Sequence, residues 1–463
     1  MNAQDDLRRA ARAIFDATLA DLDARAATRR ALDFTGGRLT ILDAEFNLNA
    51  RPRRIYSIAI GKAAAAMAAA LDETLGDALA GGVVSAPLSQ SVKLSPRWRR
   101  FAGGHPLPNE ASLEAARAAF TLLGAADREP HALVIFLISG GGSAMLEWPR
   151  DESITLADLR AANQALVSCG AGIDEINCVR RALSSVKGGG LCARAPHAAQ
   201  ISLIISDTNR DEPHNVASGP TFLFSQEPHD PAEIVARYGL AATLPSSILR
   251  TVRQARPFRA ETNRATTLRR HQVLLDNERA LVRASEIAAS HGFAVQIARD
   301  ISEQHVAEGA SLLVSRLFDL HQKEEGRPVC LISGGEFSCP VRGEGVGGRN
   351  AETALRCAFA IEAHFAPSSS DAKSHSHTPS TSDAATRAVA ALSAGTDGID
   401  GNSPSAGALC DDSTLARARA LSLDARKFLE ASDAHTFFAT LGDALDTGAT
   451  GTNVRDLRVL LAR

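Results

Sequence analysis

The chain is poor in aromatic residues and has no excess of charge of either sign. Phe, Trp and Tyr make up 5% of its 463 residues, and 50 Lys and Arg face 53 Asp and Glu. Without a basic excess, nothing in the composition indicates nucleic acid or an anionic membrane as a partner. The 45% of hydrophobic residues are mostly Ala, Val, Leu and Ile, which is typical of the cores of α/β layers.

Paired cysteines and long apolar runs are also missing. The seven cysteines are odd in number and form no Cys-x-x-Cys pair, which indicates free thiols in a reducing compartment. No apolar run reaches the ~18 residues of a membrane span. The first 32 residues lack the apolar core of a signal peptide and read as an amphipathic helix. These features predict a cytoplasmic protein without a membrane partner.

What the chain does contain is a five-residue motif that occurs twice. Leu-Ile-Ser-Gly-Gly stands at Leu137–Gly141 and at Leu331–Gly335, each time at the end of an apolar, strand-like run. A buried strand that breaks into Ser-Gly-Gly presents backbone N–H groups with no Cβ to keep an anion away. Two such turns predict two α/β lobes with an anion-binding edge each, and a phosphate-handling enzyme with its active site in the interdomain cleft.

The alternation of strand-like and helix-like segments predicts the fold class. It indicates a Rossmann-like, doubly wound, mostly parallel sheet in three layers, followed by a second α/β domain. A polar stretch over 228–269 suggests the transition, and we place the domains at 1–245 and 246–463. Residues 367–387 are polar and of low complexity, so we expect a flexible insert whose His375 and His377 are incidental rather than metal ligands.

Three segments near the first motif could act on a phosphate. Lys62 follows Gly61 at a strand-to-helix junction, where an ammonium can reach an anion, although most such lysines are solvated and the segment is no Walker A loop. The turn Ser139–Ser143 is long enough to wrap an oxyanion, with a purely structural loop as the alternative. Asp207 follows a further strand, where functional residues of open α/β sheets usually stand.

The second lobe contains a Gly-x-Gly-x-x-Gly match at 343–348. A dinucleotide site would need this loop directly between a core strand and a helix, with an acidic residue about 20 residues on. That position falls in the low-complexity segment instead. Clustered amides, a helix N-terminus and the guanidinium of Arg349 suit a phosphoryl group better, with a tight turn and a surface arginine as the alternative.

Three acidic residues of the second lobe are candidate metal ligands. Glu336 follows the second motif, and Asp397 and Asp400 follow a later strand. Carboxylate oxygens are what Mg²⁺ takes alongside substrate phosphates. The alternative for each is a solvated or turn-forming acid.

Taken together, these segments resemble the class II glycerate 2-kinases, which combine a glycerate-kinase N-terminal domain with a MOFRL-type C-terminal domain. The motifs that carry the resemblance lie in order over nearly the whole chain. They are Ala59-Ile-Gly-Lys-Ala63, Gly104-His-Pro-Leu-Pro108, Leu137–Ala144, Glu175-Ile-Asn177, Ser184–Leu191, Ser206-Asp207, Ala217–Thr221, Ser333–Glu336, Gly347–Glu352, Gly395–Gly401 and Thr447–Leu457.

The resemblance implies ATP-dependent phosphorylation of (R)-glycerate at its 2-hydroxyl, with Mg²⁺, and ties Lys62 and Arg349 most directly to catalysis. We add Asp207 as the residue that orients or deprotonates the hydroxyl, and Glu336 and Asp397 as metal ligands. The residues expected to bind substrate or phosphate are Ser139, Gly140, Gly141, Gly142, Ser143, Glu175, Lys187, Ser333, Gly334, Gly335, Gly347, Gly348 and Asn350.

Three other classes stay open. An NAD(P)H-dependent hydroxypyruvate reductase would need no ATP, a kinase for another small hydroxy acid would share every motif, and a sensor of nucleotide or glycerate would bind without turnover. The assembly is also open, with a homodimer as one option.

Overall fold

The computed structural model describes residues 3–51, 53–88, 92–209, 211–224, 229–256, 268–366 and 388–463. The chain forms two compact units. The N-terminal unit comprises Ala24–Asp276 with Gly451–Asn453, and the C-terminal unit comprises Met1–Asp23, Asn277–Thr450 and Val454–Arg463. The expected insert at 367–387, with its two histidines, lies outside the described residues. None of the helices within these ranges is long and apolar enough to cross a membrane.

The first helix of the chain, α1 (Ala3–Asp21), belongs to the C-terminal unit. The helices of the N-terminal unit are α2 (Ala24–Arg30), α3 (Ala64–Leu75), α4 (Glu110–Arg128), α5 (Gly142–Met145), α6 (Leu156–Ser168), α7 (Ile173–Leu183), α8 (Pro231–Arg237) and α9 (Ser246–Gln254). Its strands are β1 (Leu32–Thr35), β2 (Arg38–Ile41), β3 (Ala44–Asn47), β4 (Ile55–Ile60), β5 (Leu79–Ala86), β6 (Trp98–Ala102), β7 (Leu133–Ser139), β8 (Ala199–Ile205) and β9 (Arg269–Leu275).

Six strands of this unit form one parallel sheet in the order β6-β5-β4-β7-β8-β9. This is the strand order of a Rossmann fold, and the order reverses between β4 and β7. Every residue of β4 and β7 is buried, as expected for central strands covered on both faces. The predicted doubly wound sheet is thereby confirmed, and its switch point lies where β4 and β7 end.

The C-terminal unit is built around a mixed sheet. Its further helices are α10 (Asn277–Ser290), α11 (Val306–Lys323), α12 (Arg349–Phe365), α13 (Thr414–Ala420), α14 (Ala425–Glu430) and α15 (Ala434–Leu441). Its strands are β10 (Ala294–Ile297), β11 (Val329–Ser333), β12 (Val389–Gly395), β13 (Gly407–Asp411), β14 (Ala444–Leu445) and β15 (Asp456–Ala462).

The strand order of this sheet is β10-β11-β15-β12-β13-β14, with β10 and β11 parallel and the other pairs antiparallel. One apolar core packs α11 and α12 on one face, and a second core packs α1 and α10 on the other. Because β15 runs against β11 and β12, it begins at the edge where both of those strands end. Asp456 thus pairs with Gly395, and Arg458 with Ser333.

The two units differ from the predicted division at 245/246. Helix α9 packs against α7 and α8, and β9 pairs with β8, so both elements continue the N-terminal unit. Helix α1 packs on α10 and β12 and joins the C-terminal unit. Both differences arise from contacts between segments distant in sequence, which a local change in composition does not report.

Candidate functional site

The junction after β4 is joined to the junction after β7. Gly61 has a φ of +112°, a conformation that L side chains rarely adopt, and a Cβ here would collide with Ser139. The backbone N–H of Lys62 donates to the carbonyl of Gly140 (2.8 Å), and that of Ala63 donates to Ser139 Oγ (3.0 Å). Lys62 therefore stands at the switch point of the sheet, where open α/β folds bind their ligands.

The first Ser-Gly-Gly turn keeps its backbone donors available. Among the hydrogen bonds of the described residues, none has the backbone N–H of Gly140, Gly141, Gly142 or Ser143 as donor. Gly141 has a φ of +80°, which lets the chain turn directly from β7 into α5. Backbone N–H groups that converge without a protein acceptor are suited to an anion.

Three polar side chains lie against this turn. A Cβ on Gly140 would collide with a carboxylate oxygen of Asp207, and a Cβ on Gly141 would lie 3.3 Å from both Lys62 Cγ and His105 Nδ1. Lys62 and Asp207 are half-buried, and His105 is exposed. The structure therefore brings Lys62, Asp207 and the turn together. The structure also places His105 beside the turn. His105 lies in the motif Gly104–Pro108, which carried the family resemblance, but no role for this residue followed from the sequence.

The hydroxyl of Ser143 is held by a buried polar chain. Its Oγ lies 2.5 Å from Ser218 Oγ, which donates to Asn177 Oδ1 (2.8 Å), and Asn177 Nδ2 donates to Asn215 Oδ1 (3.2 Å). Ser218 and the preceding Ala217 have φ values of +59° and +52°, which cost energy in residues other than glycine. This segment is thus fixed by its surroundings, and it holds the hydroxyl of Ser143 at Ser218.

Two residues expected to bind substrate are engaged by other protein groups. Lys187 is 2% exposed and forms an ion pair with the equally buried Glu147; burial lowers the pKa of Lys187, against the opposing effect of Glu147. Glu175 accepts a hydrogen bond from the hydroxyl of Tyr238 (2.7 Å), which is the main cause of its lowered pKa. Both residues thus have structural contacts within the protein, and their roles in binding stay predictions.

The second Ser-Gly-Gly turn is filled by protein side chains. The backbone N–H of Gly335 donates to Asn277 Oδ1 (2.9 Å), and a Cβ on Gly334 would collide with the same oxygen. The carbonyl of Gly334 accepts from the guanidinium of Arg458, and Ser333 Oγ donates to a backbone carbonyl. This turn is a packed structural element rather than an open backbone cradle.

Arg349 begins α12 and is held from two sides. Its Nε and Nη2 donate to the two carboxylate oxygens of Asp456 (2.7 and 3.0 Å), and Nη2 lies 2.8 Å from Glu336 Oε1. Burial alone would lower the pKa of Arg349, but the charge and hydrogen bonds of Asp456, with the charge of Glu336, raise it. The guanidinium is therefore always charged, and a third of the side chain is exposed.

The first amides of α12, expected to bind phosphate, have a protein acceptor. The carboxylate of Asp400 accepts from the backbone N–H of Asn350 (2.9 Å) and of the residue after it (2.8 Å), and the N–H of Gly347 donates to Asn402 (2.8 Å). A Cβ on Gly348 would collide with Asp400. The missing side chain of Gly348 thus leaves room for the carboxylate of Asp400. Burial raises the pKa of Asp400 to about 6, and the hydrogen bonds to α12 oppose this effect.

The candidate metal ligands do not form a cage for an ion. No group of three or more His, Cys, Asp or Glu in the described ranges could hold a metal. Glu336 contacts Arg349, and Asp397 Oδ1 accepts the backbone N–H of Ile399 (3.2 Å). Because Mg²⁺ is often bound by one or two carboxylates together with substrate phosphates and water, this donor set fits an ion that arrives with a nucleotide.

Two charged residues beside Arg349 were not singled out from the sequence. Asp456 and Arg458 stand two positions apart at the start of β15 and are 0% exposed. Their signal was present: residues at i and i+2 of a strand share one face, and a charged pair there in an otherwise apolar strand needs partners. The identity of those partners was not readable from the strand itself.

Most of the chain matches two protein families. Residues 10–253 match a family described as a domain of unknown function (DUF4147), and residues 329–456 match the MOFRL family. A D-glycerate 2-kinase from Thermotoga maritima is 31% identical over 87% of this chain and 89% of that protein. The chain belongs to the class II glycerate 2-kinase family.

Two further similarities extend over both units. A crystal structure of a glycerate kinase from Thermotoga maritima superposes with a TM-score of 0.80 and 28% identity, and covers 99% of this chain and 100% of that one. A protein from Agrobacterium vitis, provisionally named a hydroxypyruvate reductase, is 35% identical over 98% of this chain and 94% of that protein. The class II glycerate 2-kinase fold therefore accounts for nearly the whole chain.

Proposed function

We propose that this protein is a glycerate kinase that transfers the γ-phosphoryl group of ATP to the 2-hydroxyl of D-glycerate, giving 2-phosphoglycerate and ADP. The observation that carries the proposal is the open turn at Gly140–Ser143, which lies with Lys62 at the switch point of a Rossmann sheet. The kinase names of relatives that align over nearly the whole chain support the same conclusion.

Phosphoryl transfer asks a protein mainly for alignment of the reactants and neutralisation of charge. We assign the backbone N–H groups of Gly140–Ser143 and the ammonium of Lys62 to the negative charge of the reacting groups. Asp207, whose carboxylate lies against Gly140, orients the acceptor hydroxyl and accepts its proton as the new P–O bond forms. Both roles use groups that the sheet has positioned before any ligand binds.

Arg349 is assigned to the developing charge on the transferred phosphoryl group. Its guanidinium is charged and partly exposed, and Asp456 holds it in a bidentate ion pair. Glu336 and Asp397 would hold Mg²⁺ together with the phosphates of the nucleotide, and the ion would neutralise part of their charge. The backbone of Gly347 and Asn350 instead supports the position of Arg349.

A coupled assay tests the proposal. The purified protein receives ATP, Mg²⁺ and D-glycerate; ADP release is followed by pyruvate kinase with lactate dehydrogenase, and 2-phosphoglycerate by enolase alone. We expect both signals with D-glycerate and neither with L-glycerate. No ADP release would refute the kinase. An enolase signal that needs added phosphoglycerate mutase would place the phosphate on the 3-hydroxyl. Other small 2-hydroxy acids, offered in parallel, define the acceptor.

The name of the Agrobacterium vitis relative makes hydroxypyruvate reduction a second candidate. The Gly-rich loop at 343–348 argues against it, because the N–H of Gly345 donates to Ala431 (3.0 Å) and that of Val346 to Asp433 (2.8 Å). A pyrophosphate would have to displace these acceptors. Oxidation of NADH or NADPH by hydroxypyruvate, without ATP, would support the reductase, and we expect none.

A further inference from the structure

Among the described residues of the C-terminal unit's candidate site, Asp456 is the carboxylate that accepts the most hydrogen bonds. It is 0% exposed at the first position of β15. Both of its oxygens accept from Arg349 (2.7 and 3.0 Å), one also accepts from Asn350 Nδ2 (2.9 Å), and the other from Arg458 Nη2 (3.3 Å). Four hydrogen bonds from two guanidinium groups and one side-chain amide therefore hold this buried carboxylate.

Arg458 fixes the position of Asp456 from behind. It is 0% exposed, its guanidinium lies 3.6 Å from the ring centre of Phe337, and it donates to the carbonyl of Gly334. Burial lowers the pKa of Arg458 to about 10, and the charge of Asp456 opposes this. The chain of contacts Gly334–Arg458–Asp456–Arg349 therefore connects the second Ser-Gly-Gly turn to the start of α12.

This arrangement restricts the direction of Arg349. A planar guanidinium bound through Nε and Nη2 to both oxygens of one carboxylate cannot rotate without breaking two charge-assisted hydrogen bonds. Glu336 contacts the same Nη2 but is one-third exposed, so it is the weaker constraint. Asp456 belongs to the sheet, whereas Glu336 belongs to a loop, and only the former can hold Arg349 in a fixed position.

We propose that Asp456 is a positioning residue that directs the guanidinium of Arg349 for phosphoryl transfer, and that Arg458 holds Asp456 in place. The inference rests on the proposed kinase function, in which Arg349 acts on the transferred group. Asp456 itself contacts no reactant. Its effect on the reaction is exerted through Arg349.

The test uses Asp456→Asn, which keeps the shape of the side chain but offers one acceptor oxygen and no charge. We expect kcat to fall about 10- to 100-fold, the range typical of residues that orient a functional group, with a smaller change in KM for D-glycerate. In an Arg349→Ala background the same change should lower kcat no further, because no guanidinium remains to be oriented. Multiplied effects in the double variant would overturn the proposal.

Asp443→Asn is the matched control. Asp443 is a buried carboxylate of the same unit, 5% exposed, that pairs with Arg417 (2.6 Å) and Arg8. Its loss should lower the thermal unfolding temperature but leave kcat near the wild-type value. If Asp443→Asn and Asp456→Asn lowered kcat equally, Asp456 would act through stability alone, and the positioning role would be wrong.

A readout without turnover separates this inference from the proposed function. The rate at which phenylglyoxal modifies Arg349, followed by peptide mass spectrometry, should rise in Asp456→Asn and stay unchanged in Asp443→Asn. An inactive wild-type protein in which Arg349 shows this response would refute the kinase and leave Asp456 as the residue that holds Arg349. Equal rates in all three proteins would overturn the positioning role whatever the activity.

Discussion

Each of the two copies of Leu-Ile-Ser-Gly-Gly begins in the last residues of a buried strand, and the structure uses the two copies differently. After β7, the hydrogen bonds of the described residues leave the backbone N–H groups of Gly140–Ser143 without an acceptor. After β11, Asn277 takes the N–H of Gly335, and Arg458 donates to the carbonyl of Gly334. The motif therefore specifies a turn, but not whether that turn is open.

The neighbouring strands account for part of this difference, and Asn277, the first residue of α10, accounts for the rest. β7 lies between the parallel strands β4 and β8, so the loops that meet at its end all leave from carboxyl ends at a switch point. β11 lies beside the antiparallel β15, whose first residues bring Asp456 and Arg458 to the turn. A parallel neighbour leaves room for a ligand here, and an antiparallel neighbour supplies the charges that organise Arg349.

The largest expected effects come from the one cation assigned to catalysis in each unit. Lys62→Ala and Arg349→Ala should each lower kcat by about 10³-fold or more, because each removes a charge that stabilises the transition state. Arg349→Ala should also lower thermal stability, since it leaves Asp456 buried with less compensation. Turnover and unfolding temperature are measured on the same preparations. Near-wild-type turnover in either variant would exclude that residue from catalysis. Equal losses of thermal stability in the two variants would contradict the expected difference between the two units.

Substitution of Lys187 tests whether its buried ion pair with Glu147 serves only the stability of the N-terminal unit. Lys187→Met leaves Glu147 buried and unpaired, so we expect the free energy of unfolding in urea to fall by about 3–5 kcal/mol. Adding Glu147→Gln should restore part of it, because the unpaired charge is gone. Normal stability with a raised KM for D-glycerate would instead show Lys187 to be the binding residue predicted from the sequence.

Matched glycine substitutions probe the two turns directly. Gly140→Ala would displace Asp207 and should lower kcat/KM about 100-fold, the size of effect that a shift of about 1 Å in a reacting group can cause. Gly335→Ala, at a φ of +74° and against the carbonyl of Ser302, should cost stability of about 1–3 kcal/mol.

Gly76→Ala is the control for Gly335→Ala, because its φ is also positive (+50°) and a Cβ there would meet nothing within 4 Å. It reports the backbone cost alone. If Gly140→Ala destabilised the protein and Gly335→Ala abolished activity without loss of stability, the assignment of an open and a filled turn would be reversed.

A further expected effect is a pH dependence that belongs to the second unit. The pKa of Asp400 is raised from 3.8 to about 6 on folding, so the folded protein binds more protons than the unfolded chain between these values. The contribution of Asp400 to stability is then complete below about pH 4 and is lost as the pH rises to about 6.

The measurement is the free energy of unfolding of the wild type relative to Asp400→Asn at several pH values. The free energy of unfolding of the wild type, relative to that of Asp400→Asn, should fall as the pH rises from about 4 to about 6 and should be constant above that range. A difference that grew in favour of the wild type would mean that the amides of α12 outweigh burial and hold the carboxylate ionised.

Much of the fold and part of the candidate site were readable from the sequence. Apolar runs predicted the central strands, and glycines at their ends predicted the turns, because strand burial and left-handed backbone both leave local signals. Lys62 and Asp207 were selected because functional residues of open α/β sheets follow strand ends, and the structure places both beside the first turn. Asp456 was missed, since it begins a strand rather than ends one and acts at the edge only because β15 runs antiparallel.

The sequence by itself determined the element order, the family, the two turns and the positions of Lys62 and Arg349. Only the tertiary structure decided which backbone N–H groups are open, which residues hold Arg349, and where the two units divide. The physical reason is competition for hydrogen bonds: Asn277 and Gly335, like Asp400 and Asn350, are far apart in sequence. A glycine turn presents its donors in either case, and the folded chain determines whether a protein oxygen already occupies them.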